Sequence, residues 1–325
     1  MPQQFTRCKS GDVALYWSAK NGEQRALMDL TAAASAQEIR NLTPEPGEEW
    51  RRLLKFVGLT REDKLAMSRT AEVLMRKAPD MVVDTYNYLQ SVPETAAILG
   101  WEGKFDAKHL EERRRFFTVW IARVIGMDTS EEFAYYLFRA GKYHAGHGPR
   151  HIHVPSAYVT TSIGMMGAAF ARCMYEADLP GDVVAPAIAG WNKYLSVQLH
   201  LMDMGYQVAR EFERGDFSVS FDLYGRMRQL AGWRTIKGSA SEGETLESAL
   251  RKLFNYAPEL RAEALRPVWH SHEKEESLWV EVYQTYVPTP GGWRFLLNGR
   301  NAGFESGFEK RVNPQDVISI FPPGR

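Results

Sequence analysis

Eight histidines occur in the 325 residues, and four of them, His144, His147, His151 and His153, fall within ten positions. Neutral imidazole is the commonest metal ligand among side chains. His144 stands apart by its setting. Phe133, Tyr136, Leu137, Ala140 and His144 recur at helical spacing, which puts this imidazole on an apolar stripe. Gly146, Gly148 and Pro149 follow and end the helix. An imidazole on an apolar helix face, one turn before a glycine break, suits an axial ligand to haem iron. The competing reading is a core histidine satisfied by hydrogen bonds. His147 and His151 are four apart, but Gly148 and Pro149 between them break a helix. With His153 they read as loop residues near a haem edge, and a second metal site there is the less favoured reading.

The elements that must hold His144 are legible around it. Thr129 followed by Glu132 has the capping-box pattern and is expected to open its helix. From Glu48 to about Arg214 the pattern is helical almost throughout. Thr60 caps a helix in which Met67, Ala71, Leu74 and Ala78 keep a 3-4 spacing. Pro79 is expected to interrupt or kink it, and Val82, Tyr86 and Leu89 continue the stripe beyond. Ser91-Val-Pro-Glu94 starts another helix. Leu110, Phe117, Trp120, Ile121 and Val124 form the next stripe, and Arg113 and Arg114 occupy the positions that complete it. A buried arginine needs an anion, because an unpaired buried charge is costly; otherwise both extend to solvent. Pro155 opens a helix through Tyr158 to Met174, and Asp182 caps a long one from Val183 to Phe212.

Two segments resemble one family. The run Arg139-Ala-Gly-Lys-Tyr-His144-Ala-Gly-His-Gly148-Pro is similar to the proximal-histidine segment of the protoglobins and globin-coupled sensors. Val82-Val-Asp-Thr-Tyr86-Asn-Tyr-Leu89 with Val92-Pro-Glu94 is similar to their distal segment, although Thr85 stands where the family usually has phenylalanine. The resemblance implies an all-α globin domain that binds haem b. It implies His144 as the iron ligand, Tyr86 as hydrogen-bond donor to a bound gas, and Tyr158 at the start of the helix after the proximal loop. In that frame Arg113 or Arg114 reaches a haem propionate or a polar ligand on iron, and Phe117 joins the haem-facing residues. The last two globin helices form a homodimer interface in the sensors, and the stripe of Trp191, Leu195, Gln198, Leu199, Met202 and Tyr206 is compatible with that or with an ordinary core.

At Gly215-Asp216 the pattern changes to period two. Strands are expected at 218–224, 234–240 and 316–321, and a helix at 246–254. Leu278 to Tyr286 and Trp293 to Leu297 read as a hairpin joined at Pro288-Thr-Pro-Gly-Gly292. His270 and His272 lie in a charged insertion that reads as a solvated loop. Phe221 to Gly232, Gly243 to Leu250, Leu297-Asn-Gly299 and Asp316 to Pro323 resemble the MoaD/ThiS sulfur carriers, whose fold is a ubiquitin-like β-grasp. Those carriers end in Gly-Gly, whereas this chain ends Pro322-Pro-Gly-Arg325. The resemblance therefore implies a degenerate carrier that docks a protein partner or relays a signal. The expected organisation is an arm over 1–45, a haem domain over 46–214 and a β-grasp domain over 217–325. In the arm, Asp12 to Trp17 reads as a strand, Asn21-Gly22 as a turn and Thr31 to Leu42 as a helix.

Composition narrows the classes. Forty basic and forty acidic residues give zero formal charge, which favours neither nucleic acid nor an anionic membrane. No apolar run reaches the roughly 20 residues that span a bilayer, and a cytoplasmic location is expected. Cys8 and Cys173 make neither a disulfide framework nor a zinc site. Three functions fit: a haem protein that binds O2, CO or NO and signals through the second domain; a haem enzyme acting on redox or nitrogen-oxide substrates, with an anion on Arg113 or Arg114; and a haemless scaffold.

Overall fold

The computed structural model describes residues 37–102, 106–273, 280–303 and 306–322. The strand and turn expected over 12–22, and the tail Pro323-Gly-Arg325, lie outside them. The chain divides into two compact units, one of Thr43–Phe212 and one that joins residues before Thr43 to Glu213–Arg325.

The first unit is an all-α globin fold. Its helices are α1 (Pro46–Phe56), α2 (Arg61–Ser91), α3 (Pro93–Ile98), α4 (Ala107–Ile125), α5 (Glu131–His144), α6 (Ser156–Glu176) and α7 (Gly181–Phe212). Thr60 and Asp63 close a reciprocal capping box at α2. At α5 the cap is Ser130, whose hydroxyl accepts from the Phe133 N–H, so the start expected at Thr129 shifts by one residue. Asp128 Oδ1 accepts the Ser130 N–H at 2.9 Å and sets the backbone there. Pro79 breaks nothing: α2 runs through it for 31 residues.

The globin core is aromatic, and the polar tips of Trp50, Trp191 and Tyr194 are satisfied, as burial requires. Trp50 meets Phe133 and Tyr194 edge-on at 5.9 and 5.8 Å. Trp50 Nε1 donates to the Thr129 carbonyl, Trp191 Nε1 to Thr70 Oγ1, and Tyr194 Oη to the Asp128 carbonyl. The tightest crossing is α5 on α7. A Cβ on Gly141 would overlap the carbonyl oxygen of Met202, and one on Gly205 would overlap that of Phe138. Two bare backbones therefore touch one turn before His144 and fix its helix.

The second unit is a β-grasp. Strands β1 (Phe217–Leu223), β2 (Thr235–Ala240), β5 (Arg294–Leu297), β6 (Arg300–Asn301) and β7 (Val317–Phe321) form one sheet in the order β2-β1-β7-β5-β6. Only the central β1–β7 pair is parallel. Buried Ile318, Ser319 and Ile320 make β7 the near-continuous apolar strand that a central position demands. A helix, Leu246–Tyr256, buries Leu246, Leu250, Leu253 and Phe254.

The insertion departs from its reading as a loop. Leu265–Glu273 (β3) and Val280–Pro288 (β4) pair along their whole length as a separate two-stranded sheet. So the described part of that segment, from Val280 to Tyr286, pairs with β3 and not with Trp293 to Leu297, and His270 sits on a strand, stacked on Tyr283 at 5.1 Å. Residues 37–40 are not helical either: Ile39 and Tyr286 exchange two backbone hydrogen bonds of 2.8 and 2.9 Å, and Ile39 is buried.

Lys252 is buried in this unit with all three donors satisfied, by the carbonyls of Arg214 and Ser239 and by Glu244. Burial raises the Glu244 pKa, but the Ser241 N–H, the Lys252 ammonium and the Ser248 hydroxyl outweigh it and hold the carboxyl below its ordinary value. A carboxyl with a depressed folded pKa stabilises above its unfolded pKa, and that contribution is lost as pH falls through the folded one. The thermal midpoint of wild type is therefore expected to exceed that of Glu244→Gln at neutral pH, and the gap to narrow as pH falls through the carboxylate range. A constant gap in scanning calorimetry would contradict this.

Candidate functional site

Residues of α2 to α7 and the loop after α5 line one cavity of about 530 Å3 in the globin unit. That lies within the range of small-molecule and cofactor sites. The walls are mostly apolar, with Leu89, Ile98, Phe117, Trp120, Val159, Ile163 and Met166 among them.

His144 ends α5 at this cavity. Its Nδ1 lies 2.7 Å from the Ala140 carbonyl oxygen. A carbonyl only accepts, so Nδ1 carries the proton and Nε2 keeps its lone pair. The loop beyond is pinned back onto the helix end. The Val154 N–H donates to the His144 carbonyl at 2.8 Å, Ala145 bridges His153, and Gly146 turns with φ +103°. His144 is half-buried, and protein surrounds it on the sides away from the cavity. Burial lowers its pKa, the Ala140 bond opposes that, and the Arg113 charge adds to the lowering. The ring is thus held in the neutral form that coordinates metal.

Tyr86 lines the cavity, edge-on to Phe117 at 6.0 Å, while Phe117 stacks on Trp120 at 5.3 Å. The Tyr86 hydroxyl donates to the Arg113 carbonyl at 3.1 Å. Burial pushes its pKa up to about 12, so it stays protonated and a donor. Tyr158 lines the cavity at its exposed rim.

The two stripe arginines separate. Arg113 lines the cavity, its guanidinium 5.6 Å from the Phe116 ring centroid. Its Nε is buried without a partner among the described residues. Arg114 is not among the lining residues; its Nη2 lies 3.5 Å from Asn87 Oδ1. His147, His151 and His153 are not among them either, and His153 Nε2 meets Tyr206 Oη at 2.9 Å. Arg139 and Arg150 do line the cavity, and sequence reading missed both. Arg139 sits on the His144 helix, beside the Tyr136, Ala140, His144 stripe, which was signal enough. Nothing local marks Arg150, whose loop position is set by ion pairs to Glu112 at 2.7 Å and Asp106 at 3.6 Å.

Three arginines and no carboxylate therefore line this cavity among the described residues. Two carboxylates outside the lining offset Arg150. Arg113 is half-buried and Arg139 exposed, so an anionic occupant would find two cations at the edge of a largely apolar slot.

A slot in a globin fold with a neutral imidazole at its wall defines a class, and comparison with known proteins gives the family. The Protoglobin family model matches residues 47–211, and this chain belongs to that family. A comparison with curated proteins finds no match. Among solved structures, the chain is similar to the solution structure of the small archaeal modifier protein 1 from Methanosarcina acetivorans. They share 23% identity over 33% of this chain and 93% of that one, with a TM-score of 0.25. The β-grasp assignment rests on the strand order and pairing given above.

Proposed function

We propose that this protein binds haem b in the globin cavity, with His144 Nε2 as the iron ligand, and that it takes up a diatomic gas there. The observation that carries the reading is the His144 Nδ1 bond to Ala140, which leaves Nε2 unprotonated at the wall of an apolar cavity. Family membership supports haem in general. The lining fits the group: apolar walls for the ring, and Arg113 and Arg139 for its two carboxylates. When bound, haem iron supplies an open coordination position for O2, CO or NO. Tyr86, kept protonated, is the hydrogen-bond donor nearest to hand for that gas, provided its hydroxyl turns from the Arg113 carbonyl. Phe117 and Tyr158 pack on the ring, and Arg114 lies outside this assignment.

The β-grasp unit is proposed as the output, docking a protein partner. No helix among the described residues is long and apolar enough to cross a membrane, and the reading takes the protein as cytoplasmic. A homodimer through α6 and α7 belongs to the same proposal.

The test is a hemin titration of the purified full chain followed by reduction and CO. A sharp Soret band and a carbonyl complex at one haem per chain are expected. A chain that stays colourless with hemin would overturn the reading.

A further inference from the structure

The two halves of α4 are held differently. Its C-terminal half is tied to α7 and α5. Trp120 Nε1 donates to Gln198 Oε1 at 3.1 Å, and the Arg123 guanidinium lies 4.8 Å from the Phe133 ring centroid. Its N-terminal half is tied to α2, where the Arg113 carbonyl accepts from Tyr86 and Arg114 Nη2 meets Asn87 Oδ1. Arg113 and Phe116 of that half line the cavity together with residues of α5 and α6.

The loop after α5 reaches this half of α4. Gly148, Pro149, Arg150, Ile152 and Val154 line the cavity, so the loop is one of its walls. One end of the loop is fixed, by the Val154 N–H on the His144 carbonyl and by His153 on Tyr206. In its middle, Arg150 reaches α4. Its Nε and Nη2 lie 2.8 and 2.7 Å from Glu112 Oε2, and its Nη1 lies 3.6 Å from Asp106 Oδ2. The next residue, His151, has φ +52°. A residue with a Cβ adopts that left-handed conformation seldom, and keeps it where its surroundings hold it. The side chains of Arg150 and Glu112 are 33% and 37% exposed, so their pair is weak and open to screening by salt. A fastening that must open has to be of that kind.

We infer that Arg150 is a strap: paired with Glu112, it holds the loop against α4 and closes the cavity, and its release opens the way by which the tetrapyrrole enters and leaves. This rests on the haem reading and adds to it the device that governs exchange.

The experiment measures the rate at which the hemin-loaded full chain gives up hemin to excess apomyoglobin. Glu112→Gln removes the partner and leaves the cavity lining intact. It is expected to lose hemin about threefold to fivefold faster at low salt, as an exposed pair of good geometry allows, with the Soret maximum unmoved. Added salt should speed wild type towards the variant and leave the variant unchanged. The charge swap Glu112→Arg with Arg150→Glu should restore slow release. In the hemin-free chain, the His151 and Val154 amides should exchange with deuterium faster in Glu112→Gln than in wild type. Equal release rates, a salt effect that persists in the variant, or a swap that restores nothing would overturn the strap while leaving haem binding intact. A chain that takes up no hemin overturns the haem reading, and equal amide exchange then overturns the closed loop as well.

Discussion

Gly141→Ala is expected to destabilise the globin unit by about 2 kcal/mol or more, although alanine is the better helix former by about 1 kcal/mol. The reason is the contact between α5 and α7, where the added carbon would overlap the Met202 carbonyl oxygen. Two helix backbones cannot separate there without moving the partners on either side, and overpacking of this kind costs about 1–3 kcal/mol, sometimes more. The control is Gly164→Ala on α6, where nothing lies within 4 Å of the new carbon. That change should be neutral or stabilising by up to about 1 kcal/mol. Urea unfolding followed by helix circular dichroism measures both. Equal effects of the two substitutions would show that the backbones do not meet. Because Gly141 lies one turn before His144, its variant should also bind hemin more weakly than the Gly164 variant.

His144→Ala should reduce hemin affinity by more than about a hundredfold, since loss of even an outer partner of a metal ligand costs about 10–100-fold. Apolar contacts with Phe117, Trp120 and Met166 still hold the ring, so residual binding is expected, with a broad Soret band. Imidazole added to the variant should restore a sharp one, because the cavity keeps its shape and only the nitrogen donor is gone. His153→Ala should leave the spectrum unchanged, as His153 faces Tyr206 outside the cavity lining. Affinities of the two variants that fall together would mean that neither imidazole has a distinct role.

The helices were legible because apolar spacing of 3.6 residues repeats over many turns and is a local signal. Their ends were less so. Thr129 and Ser130 are both competent caps, and the choice falls to Ser130 because Asp128 holds its N–H. Of the two outcomes expected at Pro79, the interruption does not occur, because the turns on either side carry the helix through it. Strand partners are non-local: nothing in Val280–Pro288 itself says that it pairs with the segment before rather than the one after. The charged run around His270 hid a strand because its alternation is polar on both faces. In the cavity, residues on the helical stripes (Tyr86, Arg113, Phe117, His144) were visible as stripe members. Arg114 sits one position on, and a 100° turn carries it to the Asn87 side. Arg150 reaches the cavity only through ion pairs 38 and 44 positions back in the chain, which no spacing rule foresees.

The most direct test of the central claim is the iron–histidine stretching band in the resonance Raman spectrum of the ferrous, gas-free protein. The band is expected in wild type, displaced when histidine is labelled with nitrogen-15, and absent in His144→Ala. A wild-type spectrum without it, or a band that survives the loss of His144, would contradict the assignment of this imidazole to iron.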